Sequence, residues 1–135
     1  MKKKKMKYIL MGLVAFTLAS VGLVYNMVFN AQHRQIATEA TAFTIPAEDL
    51  QFHFANDETK ATNQFIDKVV ETHGAVTEIA ENYIILENRV QVDFLNGVEE
   101  DTNKGDILNV KGRCVGFDEL LLLVKIDQAT TIKTK

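Results

Sequence analysis

The chain has 135 residues, of which 47% are hydrophobic and one is cysteine, and its net charge is −3. Five of the fifteen basic residues precede Tyr8 and all eighteen acidic residues follow residue 30, so residues 31–135 carry 10 − 18 = −8. This length excludes more than one ordinary domain beside a membrane segment, the single cysteine excludes an intrachain disulfide, and the acidic balance disfavours binding to nucleic-acid phosphates.

The first predicted element is an apolar helix from Tyr8 to Phe29. At about 1.5 Å per residue it extends about 33 Å, enough to cross a hydrocarbon core of about 30 Å. A cleaved signal peptide has similar parts, but the apolar run continues past the weak cleavage site at Thr17 and Ala19, which favours a signal anchor. The anchor residues are Tyr8, Ile9, Leu10, Leu13, Val14, Phe16, Leu18, Val21, Leu23, Val24, Val28 and Phe29. The lysines before Tyr8 predict a single-pass membrane protein with a cytoplasmic N-terminus and an extracytoplasmic, periplasmic domain.

After this anchor (residues 1–30), we expect a polar tether over 31–45, a folded domain over 46–128 and a tail over 129–135. Pro46 is well placed to open a helix, and Glu48 and Asp49 suit its positive end. This helix is expected to end near Phe65. Its predicted buried face consists of Leu50, Phe54, Ala61 and Phe65.

Five strands are predicted after this helix. The segment KVVETHGAV alternates with a period of two, and Gly74 within it predicts a bulge or sharp coil. YIILE and VQVDFL form a hairpin, and ILNVKGRCVGF and ELLLLVKI form two further strands joined tightly at Asp118. Closure into a small barrel removes the exposed edges of short strands. The expected fold class is therefore mainly β, a five-stranded barrel preceded by one α-helix, with an N-terminal transmembrane helix.

The stretch KGDILNVKGRCVGF, with NDETKATNQF and KVVETHGAV, resembles the bacterial OB-fold proteins of the tRNA_anti-like family. Many members are lipoproteins or single-pass membrane proteins. The resemblance covers about Ala47 to Ile126 and implies an OB-type barrel outside the cytoplasm, with no settled activity. Family members often carry a second cysteine in the last strand, which here reads LLLLVKI and has none. Structural roles are expected for Gly74, Gly105, Asp106, Gly112, Cys114 and Gly116.

Neither cysteine nor histidine chemistry is indicated. Cys114 has no histidine nearby in sequence to activate it, so a buried structural cysteine is favoured over a nucleophile. His33, His53 and His73 show no metal-ligand spacing. We therefore expect no catalytic residues, no cofactor and no metal, and a protein that is not an enzyme.

The acidic segment GVEEDTNKGD separates the hairpin from the last two strands. Its acids, Glu99, Glu100, Asp101 and Asp106, do not match the spacing of a calcium loop, which favours a solvated turn. The expected function is a membrane-anchored, extracytoplasmic binding module that uses one barrel face, or the Glu99 to Asp106 loop, to bind an envelope protein or a small ligand.

Two alternatives remain beside this function. A nucleic-acid-binding (tRNA-like) OB domain normally offers a basic groove and aromatic platforms, whereas the only aromatics beyond the helix are Tyr83, Phe94 and Phe117. The charge and the few aromatic residues therefore argue against nucleic acid as a partner. A heme chaperone of the cell envelope has a similar architecture, but this chain ends DQATTIKTK, without histidine or tyrosine.

Overall fold

Helix α1 comprises Lys2–Phe29, and the residues assigned to the membrane anchor are all exposed on it. The computed structural model describes residues 2–29 and 35–133 and divides the chain into two units, Met1–Arg34 and Gln35–Lys135. By length and composition α1 is a candidate membrane span or signal anchor.

Two helices stand where the sequence pattern predicted one. Helix α2 comprises Ala47–Asn56 and helix α3 comprises Glu58–Phe65. Asp57, with a φ of −152°, interrupts the helical backbone between them, and its carboxylate accepts a hydrogen bond from the backbone N–H of Lys60 at 3.0 Å. This N-cap favours a new helix over continuation of the first. The predicted buried face is confirmed, because Leu50, Phe54, Ala61 and Phe65 are each at most 2% exposed.

Six strands follow one another along the second unit. They are β1 (Phe43–Pro46), β2 (Val69–Ile79), β3 (Tyr83–Leu86), β4 (Val90–Phe94), β5 (Ile107–Asp118) and β6 (Leu123–Ile132). The order in the sheet is β1-β2-β3-β4-β6-β5, and β2 also pairs with β5. The five strands β2 to β6 therefore form a closed barrel, as predicted, with β1 added at its edge.

Strand β1 was not predicted. It pairs in parallel with β2, in the register Phe43↔Val70 to Pro46↔His73. Ahead of it the carbonyl of Gln35 accepts hydrogen bonds from the backbone N–H groups of Thr38 and Glu39, and Ile36 is 2% exposed. Part of the segment expected to be a tether is thus packed against the domain, while residues 30–34 lie outside the described residues.

The other differences concern the ends and irregularities of the strands. The bulge of β2 falls between Val76 and Glu78, not at Gly74. The predicted strand ELLLLVKI begins only at Leu123, because residues 119–122 form a turn between β5 and β6. Strand β6 continues past residue 128 to Ile132.

The core lies inside the barrel and beneath α2 and α3. Inward side chains alternate with outward ones on each strand, as a half-buried sheet requires. Helix α2 covers one end of the barrel, where the ring of Phe54 stacks on that of Phe117 with centroids 5.5 Å apart. The buried strand residues of this core are Val70, Val76, Ile84, Leu86, Val90, Val92, Val110, Cys114, Val124, Ile126 and Ala129.

Candidate functional site

A cleft of about 410 Å³ lies between the β4–β5 loop and the ends of β5 and β6. We call it the acidic cleft. It includes the loop from Glu99 to Asp106, one of the two binding surfaces expected from the sequence. Its lining residues are Glu99, Asp101, Thr102, Asp106, Ile107, Leu108, Asn109, Thr131, Ile132 and Lys133.

The wall of the cleft is an ordered loop held against β2. Gly105 has a φ of +93°, a conformation that suits glycine, and its N–H donates to the carbonyl of Val76 at 2.8 Å. The N–H of Val76 donates in return to the carbonyl of Asp106 at 2.8 Å. The Asp106 carboxylate accepts from the N–H of Asn103 at 2.9 Å. Gly105 and Asp106 therefore shape this loop.

The chemistry of the cleft combines an apolar surface with negative charge. Ile107 is 76% exposed and lies beside the carboxylates of Glu99, Asp101 and Asp106. The Lys133 ammonium is 3.8 Å from the Glu99 carboxylate. Three carboxylates against one ammonium leave the lining acidic, which suits a cationic group attached to an apolar body. Among residues 2–29 and 35–133, no three His, Cys, Asp or Glu side chains are placed to hold a metal ion.

The outer barrel face, the second binding surface expected from the sequence, carries paired charges. Gln91 on β4 lies beside Lys125 on β6, and its amide donates to the Asp93 carboxylate at 3.1 Å. On β5 and β6 the Arg113 guanidinium donates two hydrogen bonds to the Asp127 carboxylate, at 2.8 and 3.0 Å. The Lys125 ammonium lies 3.8 Å from the Asp118 carboxylate. Because Arg113 and Lys125 already face carboxylates, they offer little attraction for phosphate groups.

Cys114 and Gly112 lie at the seam between β5 and β6. Burial of Cys114 raises the pKa of its thiol to about 12, so the thiol stays protonated and unreactive at neutral pH. A Cβ atom on Gly112 would lie 2.4 Å from Cγ2 of Ile126. A Cβ atom on Gly116 would have no neighbouring atom within 4 Å.

Sequence reasoning missed the contact that accounts for Gly74. Glu87, in the β3–β4 turn, has a φ of +53°, and its carboxylate accepts a hydrogen bond from the N–H of Ala75 at 2.7 Å. A Cβ atom on Gly74 would lie 2.8 Å from Cγ of Glu87. Gly74 leaves room for the Glu87 side chain because it has no Cβ atom. A glycine within a predicted strand was the only feature of the sequence that indicated a close contact there.

The histidines have separate surroundings. The His53 ring packs against Phe65 with centroids 5.5 Å apart, and His73 is exposed on β2. His33 lies outside the described residues.

A family model described as tRNA_anti-like matches residues 1–128. No curated protein matches the chain significantly. Among solved structures, a candidate nucleic acid-binding lipoprotein from Klebsiella pneumoniae is similar over 76% of this chain and 100% of its own, with a TM-score of 0.51 and 13% sequence identity. At this identity the similarity shows the fold alone.

Proposed function

Because the chain belongs to the tRNA_anti-like family, we propose that it is a non-catalytic, membrane-anchored binding module of the cell envelope whose ligand occupies the acidic cleft. Helix α1 is the anchor, and the lysines before Tyr8 keep the N-terminus in the cytoplasm and the barrel outside it. The observation that carries the proposal is the cleft itself. Its volume of about 410 Å³ lies within the range of small-molecule sites, about 300–1,000 Å³.

The ligand class follows from the lining of the cleft. Carboxylates hydrogen-bond most strongly to ammonium and guanidinium groups. Ile107 and Ile132 add apolar surface between the carboxylates. We therefore infer a ligand with a cationic group on an apolar body, such as a lysine or arginine side chain of an envelope protein. The net charge of −8 over residues 31–135 attracts such a ligand over a distance.

Fluorescence anisotropy on the full chain in lipid nanodiscs tests this proposal. The probe is a fluorescein-labelled peptide of alternating lysine and leucine residues. The double variant Glu99→Gln and Asp101→Asn removes two cleft charges while keeping side-chain size. The matched control, Glu78→Gln and Glu81→Gln, removes two charges elsewhere on the domain. We expect the cleft variant to weaken binding about tenfold, and the control variant to weaken it less than about twofold. Equal weakening by both variants would show non-specific attraction, and absence of binding to the unmodified chain would also refute the proposal.

Nucleic acid is a second candidate ligand, because the similar Klebsiella pneumoniae protein is described as a candidate nucleic acid-binding lipoprotein. Several cations of this domain lie within 3.8 Å of a carboxylate, namely Arg89, Arg113, Lys125 and Lys133. A labelled single-stranded oligonucleotide should therefore not bind the full chain tightly at physiological salt. Submicromolar binding that weakens steeply with salt would favour this second candidate.

A further inference from the structure

Three consecutive leucines project from the turn between β5 and β6. Leu120, Leu121 and Leu122 are 95%, 63% and 52% exposed. Single exposed apolar residues are ordinary, but adjacent ones at a projecting turn mark an interaction site. We call Leu120–Leu122 the leucine tip.

Hydrogen bonds hold the leucine tip in a fixed turn. The carboxylate of Asp118 accepts from the N–H groups of Leu120 and Leu121, both at 3.0 Å. Leu122 has a φ of +56°, which residues other than glycine seldom adopt. Its carbonyl accepts a hydrogen bond from the Gln51 side chain of α2 at 3.4 Å. A strained and well-bonded backbone that presents apolar side chains to solvent is typical of a binding element.

The length of chain between the two units limits what the tip can meet. Helix α1 ends at Phe29 and the second unit begins at Gln35. Fully extended, the chain from Phe29 to Gln35 spans at most about 22 Å. If α1 is anchored in a bilayer, Gln35 therefore lies no more than about 22 Å from the end of the anchor helix.

Chain length also limits how far the leucine tip lies from the start of the second unit. Lys111 on β5 donates hydrogen bonds to the carbonyls of Ala37 and Glu39, close to the start of the unit. From Lys111 to Glu119 the chain covers at most about 27 Å at a rise of about 3.4 Å per residue.

We propose that the leucine tip inserts into the apolar layer of the bilayer that holds α1. This inference rests on the membrane anchoring proposed above, but not on the acidic cleft. The residues around the tip are acidic: Asp118 and Glu119 precede it, and Glu58 lies beside Glu119. Attraction to anionic headgroups therefore cannot drive this contact, and the leucine side chains must supply it. The tip therefore needs no anionic headgroups, and neutral phosphatidylcholine is sufficient.

A spin label at position 121 measures the depth of the tip. The variant Leu121→Cys can be labelled selectively, since Cys114 is buried. The labelled full chain is reconstituted into phosphatidylcholine vesicles, and label accessibility is compared for molecular oxygen, which partitions into lipid, and a water-soluble nickel chelate. Leu95→Cys is the matched control, because Leu95 and Leu121 are both 63% exposed.

We expect the label at 121 to be several-fold more accessible to oxygen than to nickel, and the label at 95 to show the reverse. Adding Leu120→Ser should move the label at 121 toward water. Equal nickel accessibility at both positions would overturn the proposal. Exclusion of both reagents at 121 would also overturn the proposal, since protein, either the same chain or a second copy, would then cover the tip.

The membrane anchor is tested separately in the same vesicles by an alkaline wash. Release of the chain by this wash would refute the anchor, and the inserted tip with it. Retention of the chain together with a water-exposed label at position 121 would refute only the insertion of the leucine tip.

Discussion

Replacing Gly112 by alanine tests how closely β5 and β6 approach each other. A Cβ atom at this position would lie 2.4 Å from Cγ2 of Ile126, 2.9 Å from the carbonyl oxygen of Asp127 and 3.1 Å from Cβ of Ala129. Ile126 and Ala129 are 0% and 1% exposed, so the core leaves little space for Ile126 to move. The carbonyl oxygen is backbone and moves only with the strand. Overpacking typically costs about 1–3 kcal/mol, and we expect Gly112→Ala to cost about 3 kcal/mol.

The matched control is Gly116→Ala on the same strand. A Cβ atom there meets nothing within 4 Å. This substitution should change the free energy of unfolding by less than about 0.5 kcal/mol, as is usual for surface changes.

Cys114 supplies the assay for both variants. It is the only cysteine in the sequence, and it is buried on β5, so its modification by a thiol reagent in urea reports unfolding of the barrel and not of α1. Urea slopes of about 1–3 kcal/mol per molar convert a loss of about 3 kcal/mol into a midpoint lower by about 1–3 M. The measurement uses the full chain in detergent micelles. Equal urea midpoints for Gly112→Ala and Gly116→Ala would refute the close approach of β5 and β6.

Four further outcomes are expected. Cys114→Ser should lower the free energy of unfolding, measured by circular dichroism, by about 1–3 kcal/mol, and Cys114→Ala by less, because the serine hydroxyl enters an apolar site. The raised pKa of Cys114, about 12 against 9.0 for an ordinary thiol, means that the folded state keeps a proton that the unfolded state releases. Stability should therefore fall as the pH rises from 9 toward 12, and replacement by alanine should remove that part of the fall. Asp57→Ala should cost about 1 kcal/mol in urea unfolding by loss of the α3 N-cap, and an unchanged midpoint would exclude this role. A reporter active only outside the cytoplasm, fused after Lys135, should be active; activity of a cytoplasmic reporter alone would invert the topology.

The barrel was predictable because its strands carry a clear period of two. In β2 the buried residues Val70, Thr72, Gly74 and Val76 occupy alternate positions, as the sequence indicated. Strand β1 has only four residues, and its pairing with β2 depends on a distant partner that no local pattern reveals. The break at Asp57 was missed because the apolar spacing continues across it into α3.

The leucine tip and the acidic cleft show where local patterns fail. The run from Leu120 to Leu123 is continuously apolar, which favoured a strand, but hydrogen bonds to Asp118 and Gln51 fix most of it as a turn. The loop from Glu99 to Asp106 was predicted as a loop. Its position opposite Thr131 and Ile132 depends on the closure of the barrel, which the sequence does not show directly.

The strand order has a consequence for how the protein is made. Strand β6 lies between β4 and β5, although it follows both in the chain. A growing chain therefore cannot complete the barrel until β6 has emerged, and until then β4 and β5 each present an unpaired edge. A chain that stops before Leu123 lacks β6, so its sheet stays open and exposes strand edges that favour aggregation and degradation.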